Sequence, residues 1–262
     1  MSKIVFIGGG RITSAMLAGL RLAKSRHRFV VHDRTMAKMR YLRKHYLVAI
    51  EPDLGRAIKQ ADLLIVAVRP GSIRELLGAI GKSQRKLLAV SVAAGVPLRV
   101  LTQGAGAMQW ARAMPSPVCR NGRGLTAVTF PRTLSQKDRN RVREFFAGFG
   151  PVLEIPERKF DAFTVTYSCS HGYHALATLA NEAQENGLDR RTALLASAHA
   201  LADGVIAWRE GKLPLESLLE EAATPGGIAA ATTAAMDASG YGRAVRQGLS
   251  AGLRRARANA RK

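Results

Sequence analysis

The fold is decided by the stretch Lys3-Ile4-Val5-Phe6-Ile7-Gly8-Gly9-Gly10-Arg11-Ile12-Thr13-Ser14-Ala15-Met16-Leu17-Ala18-Gly19-Leu20, which predicts a strand, a glycine turn and a helix. A β-branched apolar run ends at three glycines, and a helical apolar pattern begins at Ile12. Gly8 and Gly10 occupy the first two places of the dinucleotide-binding fingerprint, where absent side chains let backbone N–H groups approach a pyrophosphate. The third place is Thr13 rather than Gly or Ala, so the match is incomplete.

Three further runs continue the pattern of a parallel sheet. Phe29 to His32 predicts a second strand, and continuous apolar runs at 62–68 and 86–92 predict strands buried on both faces. Helical patterns at about 35–46 and 71–81 separate these strands. The order β-α-β-α-β predicts a doubly wound, Rossmann-type parallel α/β sheet. Later segments predict more strands and one helix: strands at 108–112, 125–130 and 152–155, and a helix from Ser135 to about Phe149.

A nicotinamide cofactor, NADPH or NADH, is expected at one edge of this sheet, because ligands bind at the carboxyl ends of such strands. The residues expected to bind it follow the strands: Gly8, Gly10, Arg11, Ile12, Asp33, Arg34, Thr35, Val68, Arg69, Pro70, Ala93, Ala94 and Gly95. Asp33 stands where the fold places a ribose-binding acid, which favours the 2′-hydroxyl of NAD, whereas Arg34 and Thr35 suit a 2′-phosphate. The triplet leaves both cofactors open, and a simple turn with a helix cap also explains it.

The C-terminal part is predicted to be helical from Pro156 onward. We therefore expect a dinucleotide-binding domain at 1–155 and an all-α domain at 156–262. Helical patterns are recognised at about 159–185 with an interruption near 168–172, 190–208, 214–223, 228–238 and 241–260. Because alanine-rich helices of this length give a limited core, we expect their apolar faces to pack against a second copy. The prediction is a homodimer, with assembly beyond the dimer left open.

Composition narrows the class of protein. The chain has 262 residues and 47% hydrophobic content, which is enough for a real core. The sequence has no apolar run near the roughly 20 residues of a membrane helix, so we expect a soluble cytoplasmic protein without membrane contact. Cys119 and Cys169 lack metal-ligand spacing, and no metal is expected. The net charge of +21 suits an acidic partner, but no DNA-reading motif accompanies it, and nucleic acid is not the expected partner.

Several motifs then follow in a fixed order: Phe6-Ile7-Gly8-Gly9-Gly10, Ala67-Val68-Arg69-Pro70-Gly71, Ser91-Val92-Ala93-Ala94-Gly95-Val96, Arg112-Ala113-Met114-Pro115, Thr224-Pro225-Gly226-Gly227 and Gly240-Tyr241-Gly242-Arg243. In these motifs the chain resembles the pyrroline-5-carboxylate reductase family over nearly its full length. The resemblance implies a dinucleotide domain, a dimerising helical domain and an active site at the dimer interface. There NAD(P)H would deliver hydride to a cyclic imine carbon, a reaction of proline biosynthesis.

The chain departs from that family where the resemblance places the chemistry. The family's Ser-Gly-Ser-Gly-Pro-Ala-Tyr corresponds here to Ser168-Cys169-Ser170-His171-Gly172-Tyr173-His174, and its Asn-Thr-Pro corresponds to Ser116-Pro117-Val118. The family's substrate-binding threonine corresponds to Ala229, which follows Ile228 and has no hydroxyl. A replacement proton donor is therefore expected nearby, and the candidates are His171, Tyr173 and His174. Taken singly, each of these side chains is better explained by packing or capping than by catalysis, and the prediction is that one of the three contacts the substrate.

Substrate binding is assigned to two places in the helical part. Ser170 belongs to the altered helix entry, and Thr224, Gly226 and Gly227 lie at a predicted helix N-terminus, where free N–H groups suit a carboxylate. A plain helix cap with a Pro start explains the second place as well.

Four functions stay open at this point. The leading one is an NAD(P)H-dependent imine reductase acting on pyrroline-5-carboxylate or a related imino acid, with a substrate range shifted by the departures. A hydroxyacid-type dehydrogenase shares the N-terminal fold, but Lys212 lies beside Gly211 in a predicted loop and is a poor catalytic lysine. A cofactor-binding regulatory protein without reductase activity is consistent with Ala229. A basic nucleic-acid binder is the remaining class.

Overall fold

The chain divides into two compact units in the computed structural model, which describes residues 1–81, 85–105 and 107–261. The first, here called the sheet unit, comprises Met1–Tyr167 together with Gly252–Lys262, and the second, the helical unit, comprises Ser168–Ala251. The domain boundary expected after residue 155 stays a prediction. By contacts, the helix that follows residue 155 and the residues from Gly252 onward cluster with the sheet.

The sheet unit is built on an eight-stranded sheet with the order β3-β2-β1-β4-β5-β6-β7-β8. Its strands are β1 (Lys3–Ile7), β2 (Arg28–His32), β3 (Ala49–Ile50), β4 (Leu63–Val66), β5 (Leu88–Ser91), β6 (Gln109–Pro115), β7 (Thr126–Thr129) and β8 (Val152–Glu154). Among the described strands, the β6–β7 pair is antiparallel and the other neighbours are parallel. The strand order reverses at β1, which confirms the predicted doubly wound α/β fold.

Helices cover both faces of this sheet. They are α1 (Arg11–Leu22), α2 (Met36–Tyr46), α3 (Leu54–Lys59), α4 (Ile73–Ile80), α5 (Leu98–Gly104), α6 (Gln136–Ala147) and α7 (Glu157–Thr166). β1 shows why: Ile4 and Phe6 join the apolar core with α1, α2 and α6, while Val5 and Ile7 join the core with α3, α4 and α5. Successive side chains of a strand point to opposite faces, so a continuous apolar strand requires cover on both sides.

Several short elements were not predicted from the sequence. β3 has two residues, and α3 has six, with Asp53 at its N-cap accepting a hydrogen bond from the Arg56 N–H at 2.7 Å. Both are too short for hydrophobic periodicity to reveal. α5 and the 3₁₀ turn Pro117–Asn121 fall in segments for which no helix or strand was predicted from the sequence.

The close approach of α1 explains how Thr13 fits the fingerprint. Thr13 is fully buried, and its hydroxyl donates to the Gly8 carbonyl at 2.5 Å, so it fastens the glycine turn rather than obstructing it. The tightest contact of α1 lies further along, at Gly19, where a side chain would collide with the Cys119 carbonyl. Burial raises the pKa of the Cys119 thiol to about 12, which makes it an inert packing group.

Arg112 is a buried cation that joins β6 to α7. Its guanidinium lies 3.2 Å from a carboxylate oxygen of Glu157 and 3.2 Å from one of Asp161. It also lies over the Phe160 ring at 4.4 Å from the centroid. Only 2% of the Arg112 side chain is exposed, so the two acids of α7 are what make its burial tolerable.

The helical unit contains α8 (Cys169–Glu185), α9 (Arg190–Glu210), α10 (Leu215–Ala222) and α11 (Ile228–Ala238). Asp189 caps α9 by accepting hydrogen bonds from the Arg191 and Thr192 N–H groups, and the Thr192 hydroxyl and N–H hold the pKa of Asp189 below its usual value. A last helix, α12 (Tyr241–Arg261), begins in this unit and contributes its residues from Gly252 onward to the sheet unit. None of the described helices is long and apolar enough to cross a membrane.

Large apolar side chains of the helical unit are exposed along α8 to α12. They are Tyr173, Leu179, Leu188, Leu194, Leu195, Leu201, Val205, Ile206, Trp208, Leu213, Leu215, Leu219, Ile228, Met236, Tyr241 and Val245. The buried residues that this unit places between α8 and α9 are small: Ala180, Ala193 and Ser197. Such extensive apolar exposure is typical of a surface that a partner covers.

Candidate active site

A cleft of about 1170 Å³ opens where β1 and β4 end, beside the reversal in strand order. Most of the residues predicted to bind a cofactor line it: Gly8, Gly10, Arg11, Ile12, Asp33, Arg34, Thr35, Val68 and Arg69. Pro70, Ala93, Ala94 and Gly95 lie outside this lining. The cleft is therefore the site that the carboxyl ends of the strands predict, and it is wide enough for a dinucleotide.

The glycine turn at the head of the cleft fits a pyrophosphate. Gly8 has a φ of +107°, and a Cβ there would lie 2.6 Å from the Ala67 carbonyl oxygen, so a side chain is excluded. At Gly10 a Cβ would meet nothing within 4 Å, which leaves open space in front of α1. No side chain of the described residues caps α1, and its first N–H groups are available to an anion.

Asp33 ties the end of β2 to the glycine turn. One carboxylate oxygen accepts the Gly9 N–H at 2.7 Å, and the other accepts the Thr35 N–H at 2.8 Å and lies 3.6 Å from the Lys38 ammonium. Burial acts to raise the pKa of Asp33, but the two N–H groups and Lys38 outweigh it and hold this pKa below its usual value. The turn predicted as the alternative role of Asp33 is thus present.

Charge in the cleft favours an anionic ligand. The cations in its lining are Arg11, Arg34, Lys38, Arg69 and Arg120, against the acids Asp33 and Glu75. Sequence reasoning missed Lys38, Glu75 and Arg120. Lys38 lies in the first turn of α2 and could have been found from its spacing to Asp33. Arg120 reaches the cleft because its 3₁₀ turn packs on α1 at Gly19, which no local pattern reveals.

The loop after β5 is held by the end of α12. Gly95 has a φ of +74°, and a side chain there would collide with the backbone of Ala256. The Asn259 side-chain amide donates to the Ala94 carbonyl at 3.3 Å. The loop predicted to meet the cofactor is therefore packed against the last helix of the same unit.

The predicted catalytic residues of the helical unit lie at the start of α8. Ser170, Tyr173 and His174 share one face of the helix by their spacing, and the Ser170 and Ser168 hydroxyls are 2.6 Å apart. The His171 N–H donates to the Ser168 carbonyl at 3.0 Å. All four predicted residues are exposed, with Tyr173 at 67%. Their roles stay predictions.

The turn before α11 differs from expectation in one respect. Gly226 has a φ of +79°, and the Gly227 N–H donates to the Thr224 carbonyl at 3.0 Å. The Gly227 N–H therefore closes the turn and is not one of the free N–H groups expected there, while the substrate-binding role of Thr224, Gly226 and Gly227 stays a prediction. The first N–H groups of α11 itself have no side-chain cap among the described residues, and Ile228 is 89% exposed.

No cluster of three or more His, Cys, Asp or Glu side chains that could hold a metal occurs in residues 1–81, 85–105 and 107–261.

Comparison with known proteins covers both units. Residues 3–95 match the family model "NADP oxidoreductase coenzyme F420-dependent", and residues 157–259 match "Pyrroline-5-carboxylate reductase dimerisation". The pyrroline-5-carboxylate reductase of Corynebacterium melassecola is 30% identical over 249 residues, which cover 92% of each chain. That of Synechocystis sp. is 26% identical over 257 residues, covering 97% of this chain and 96% of the relative.

A solved structure shows the same fold. The crystal structure of Plasmodium falciparum pyrroline carboxylate reductase with NADP bound matches with a TM-score of 0.89 at 20% identity. The match covers 99% of this chain and 98% of that one.

Proposed function

Because the chain belongs to the pyrroline-5-carboxylate reductase family, we propose that it reduces a cyclic imine, pyrroline-5-carboxylate or a related imino acid, to the saturated amine. It is then an NAD(P)H-dependent oxidoreductase acting on C=N bonds, and its product places it in proline biosynthesis or a related pathway. The observation that carries the proposal is the cationic cleft at the glycine turn, in a chain whose relatives match over nearly its full length.

The sheet unit binds the cofactor in this proposal. A bound nicotinamide dinucleotide supplies the hydride for the imine carbon. Gly8 and Gly10 leave room for its phosphates at the N-terminus of α1, and Arg11 and Arg120 neutralise their charge. Asp33 holds the glycine turn in place through its bond to the Gly9 N–H.

The helical unit holds the substrate in this proposal. The first N–H groups of α11 bind the substrate carboxylate, and Thr224 and Gly226 shape the turn that presents them. Ala229 offers no hydroxyl to the imine nitrogen, so protonation falls to the side chains at the start of α8. His171, Tyr173 and His174 are the candidates, since imidazolium and phenol groups both donate protons near neutral pH when suitably placed.

Assembly belongs to the same proposal. The helical unit matches a dimerisation domain and exposes apolar side chains on all its helices, and we assign a homodimer to these helices. A higher oligomer and a cytoplasmic location stay predictions.

The reaction is tested by following nicotinamide absorbance with NADPH or NADH and a panel of cyclic imino acids. The panel contains pyrroline-5-carboxylate, its six-membered-ring relative and a relative with two carboxylates. We expect oxidation of the cofactor with at least one of them. Tight cofactor binding without any turnover on this panel would instead favour the regulatory alternative.

The site assignment is tested by Tyr173→Phe and His171→Ala, with His199→Ala on α9 as a matched control. We expect at least one of the first two to lower turnover by about 100-fold, the usual contribution of a general acid, while cofactor affinity stays the same. His199 pairs with Asp203 on its own helix, and its removal should leave turnover unchanged. Wild-type turnover in both site variants rejects His171 and Tyr173 as the proton donor.

A further inference from the structure

An ion pair crosses the cofactor cleft between two separate elements. Arg34 follows β2, Glu75 lies on α4, and both line the cleft. One guanidinium nitrogen of Arg34 donates to both carboxylate oxygens of Glu75, at 3.1 and 3.0 Å. The two side chains are 72% and 70% exposed, so the pair is weak and either partner can be drawn away.

Arg34 lies where a dinucleotide-binding fold recognises the adenosine ribose. In a dinucleotide fold the segment after the second strand meets the 2′-substituent of the adenosine ribose, and an Arg there accommodates a 2′-phosphate. Asp33, the acid of this segment, accepts hydrogen bonds from the chain with both carboxylate oxygens. Arg34 and Lys38 are therefore the charged groups of this segment that can turn toward a phosphate, and Lys38 is 52% exposed.

Resting on the proposed function, we propose that Glu75 is a specificity-determining residue that lowers the preference for NADPH over NADH. The Glu75 carboxylate holds the Arg34 guanidinium, so the 2′-phosphate of NADPH must compete with Glu75 for Arg34. The phosphate is also repelled by the negative charge of the Glu75 carboxylate. NADH presents a 2′-hydroxyl, which does not need Arg34. The carboxylate of Glu75 thus acts on one cofactor and leaves the other nearly unaffected.

The expected size of the effect follows from the exposure of the pair. Exposed ion pairs contribute at most about 1 kcal/mol, which corresponds to about a fivefold change in a dissociation constant. Removing the charge of Glu75 should therefore tighten NADPH binding by about two- to fivefold, with NADH binding changed by less. The ratio of the two dissociation constants isolates this effect from the general charge of the protein.

The experiment measures Kd for NADPH and for NADH by nicotinamide fluorescence in the wild type, Glu75→Gln and Glu144→Gln. Glu144 is an exposed glutamate on α6 outside the cleft lining, so its variant removes the same charge elsewhere. We expect the ratio Kd(NADH)/Kd(NADPH) to rise in Glu75→Gln and to stay at the wild-type value in Glu144→Gln. In an Arg34→Gln background, Glu75→Gln should no longer change the ratio.

The other outcomes overturn the role of Glu75, the proposed reaction, or both. An unchanged ratio in Glu75→Gln, an equal rise in Glu144→Gln, or a rise that persists in the Arg34→Gln background overturns the role of Glu75. Selective tightening by Glu75→Gln without any imine turnover overturns the proposed reaction but not this inference. If neither nucleotide binds, both are overturned.

Discussion

The sheet unit and the helical unit bury their apolar residues in different ways. In the sheet unit, β1 alone supplies Phe6 to one core and Ile7 to the other, and both are covered by helices of the same chain. In the helical unit, α9 buries Ala193 and Ser197 but exposes Leu195 and Ile206. A helix with apolar side chains all round needs cover on every side. The first unit therefore covers its apolar strands within one chain, whereas the second leaves apolar side chains exposed, as the proposed homodimer requires.

This difference separates two kinds of stability. Interactions inside the sheet unit should be insensitive to protein concentration, whereas those of the helical unit should follow the mass action of a dimer. The proposed chemistry is divided in the same way, since the sheet unit contains the cleft proposed to bind the cofactor and the helical unit carries the proposed substrate residues.

The largest expected effect comes from Leu195→Glu, which places a charge among the exposed apolar side chains of the helical unit and should dissociate the proposed dimer. Burying a leucine contributes about 1.5–3 kcal/mol, and a two-fold interface contains it twice, so the dimer dissociation constant should rise by about 100-fold or more. Light scattering across a dilution series measures it. Leu22→Glu in α1 is the matched control, because Leu22 is 62% and Leu195 59% exposed. Equal dissociation in both variants would contradict the proposal that the dimer forms through the helical unit and not through the sheet unit.

A smaller effect, on the sheet side, is expected for Arg112→Ala. Its removal leaves Glu157 and Asp161 without their buried cation. Breaking a buried ion pair costs about 3–5 kcal/mol of unfolding free energy. Because these two acids are about one-third exposed, we expect a loss at the lower end of that range, about 3 kcal/mol. Denaturant unfolding measures it, and the loss should be the same at low and high protein concentration.

Arg56→Ala serves as the control for Arg112→Ala. Arg56 pairs with Glu51 at 3.3 Å but is 71% exposed, so its loss should cost less than about 1 kcal/mol. A concentration-dependent loss in Arg112→Ala would show that the stability of the sheet unit depends on a second chain. An equal loss in Arg56→Ala would show that burial of the Arg112 pairs adds nothing to their contribution.

The smallest effect is expected for Asp33→Asn, which should lower the unfolding free energy by about 1–2 kcal/mol near neutral pH, because the amide accepts only one of the two N–H bonds. The pKa of Asp33 is held below its usual value. Its stabilisation is therefore present above the unfolded pKa of about 3.9 and is lost as the pH falls through the lower, folded value.

The check on Asp33→Asn is the unfolding free energy of variant and wild type as a function of pH. Their difference should shrink in acid. Asp237→Asn, at an exposed position of α11 in the helical unit, should not lower the unfolding free energy near neutral pH. A constant difference across the whole pH range would mean that the Asp33 carboxylate is not what stabilises the glycine turn.

The sequence predicted the sheet well because its signals are local. The apolar run before Gly8 and the buried strand at 62–68 determine their own structure, and both lie where expected. Thr13 could not be interpreted from the fingerprint alone, because its tolerance depends on a hydrogen bond to Gly8. Elements as short as β3 have no period to detect.

The candidate site was predicted only where it follows strands. Asp33 is the first residue after β2 and Arg69 is the third after β4, so chain order places them at the cleft. Glu75 lies on α4 and Arg120 in the 3₁₀ turn Pro117–Asn121, and both line the cleft because of how these elements pack. Tertiary packing of this kind cannot be predicted from a local sequence pattern. The roles of His171 and Tyr173 stay predictions, since they depend on chemistry that neither periodicity nor local geometry specifies.

The last helix has a consequence for how the protein is made. The C-terminal part of α12 packs against the loop at Gly95, and the Asn259 side-chain amide donates to the Ala94 carbonyl, so the sheet unit uses residues that lie on both sides of the helical unit in the sequence. Domains at the N-terminus usually fold while the ribosome is still adding residues. Here the sheet unit is interrupted by the helical unit, so it lacks its final piece until the residues of the helical unit have been synthesised.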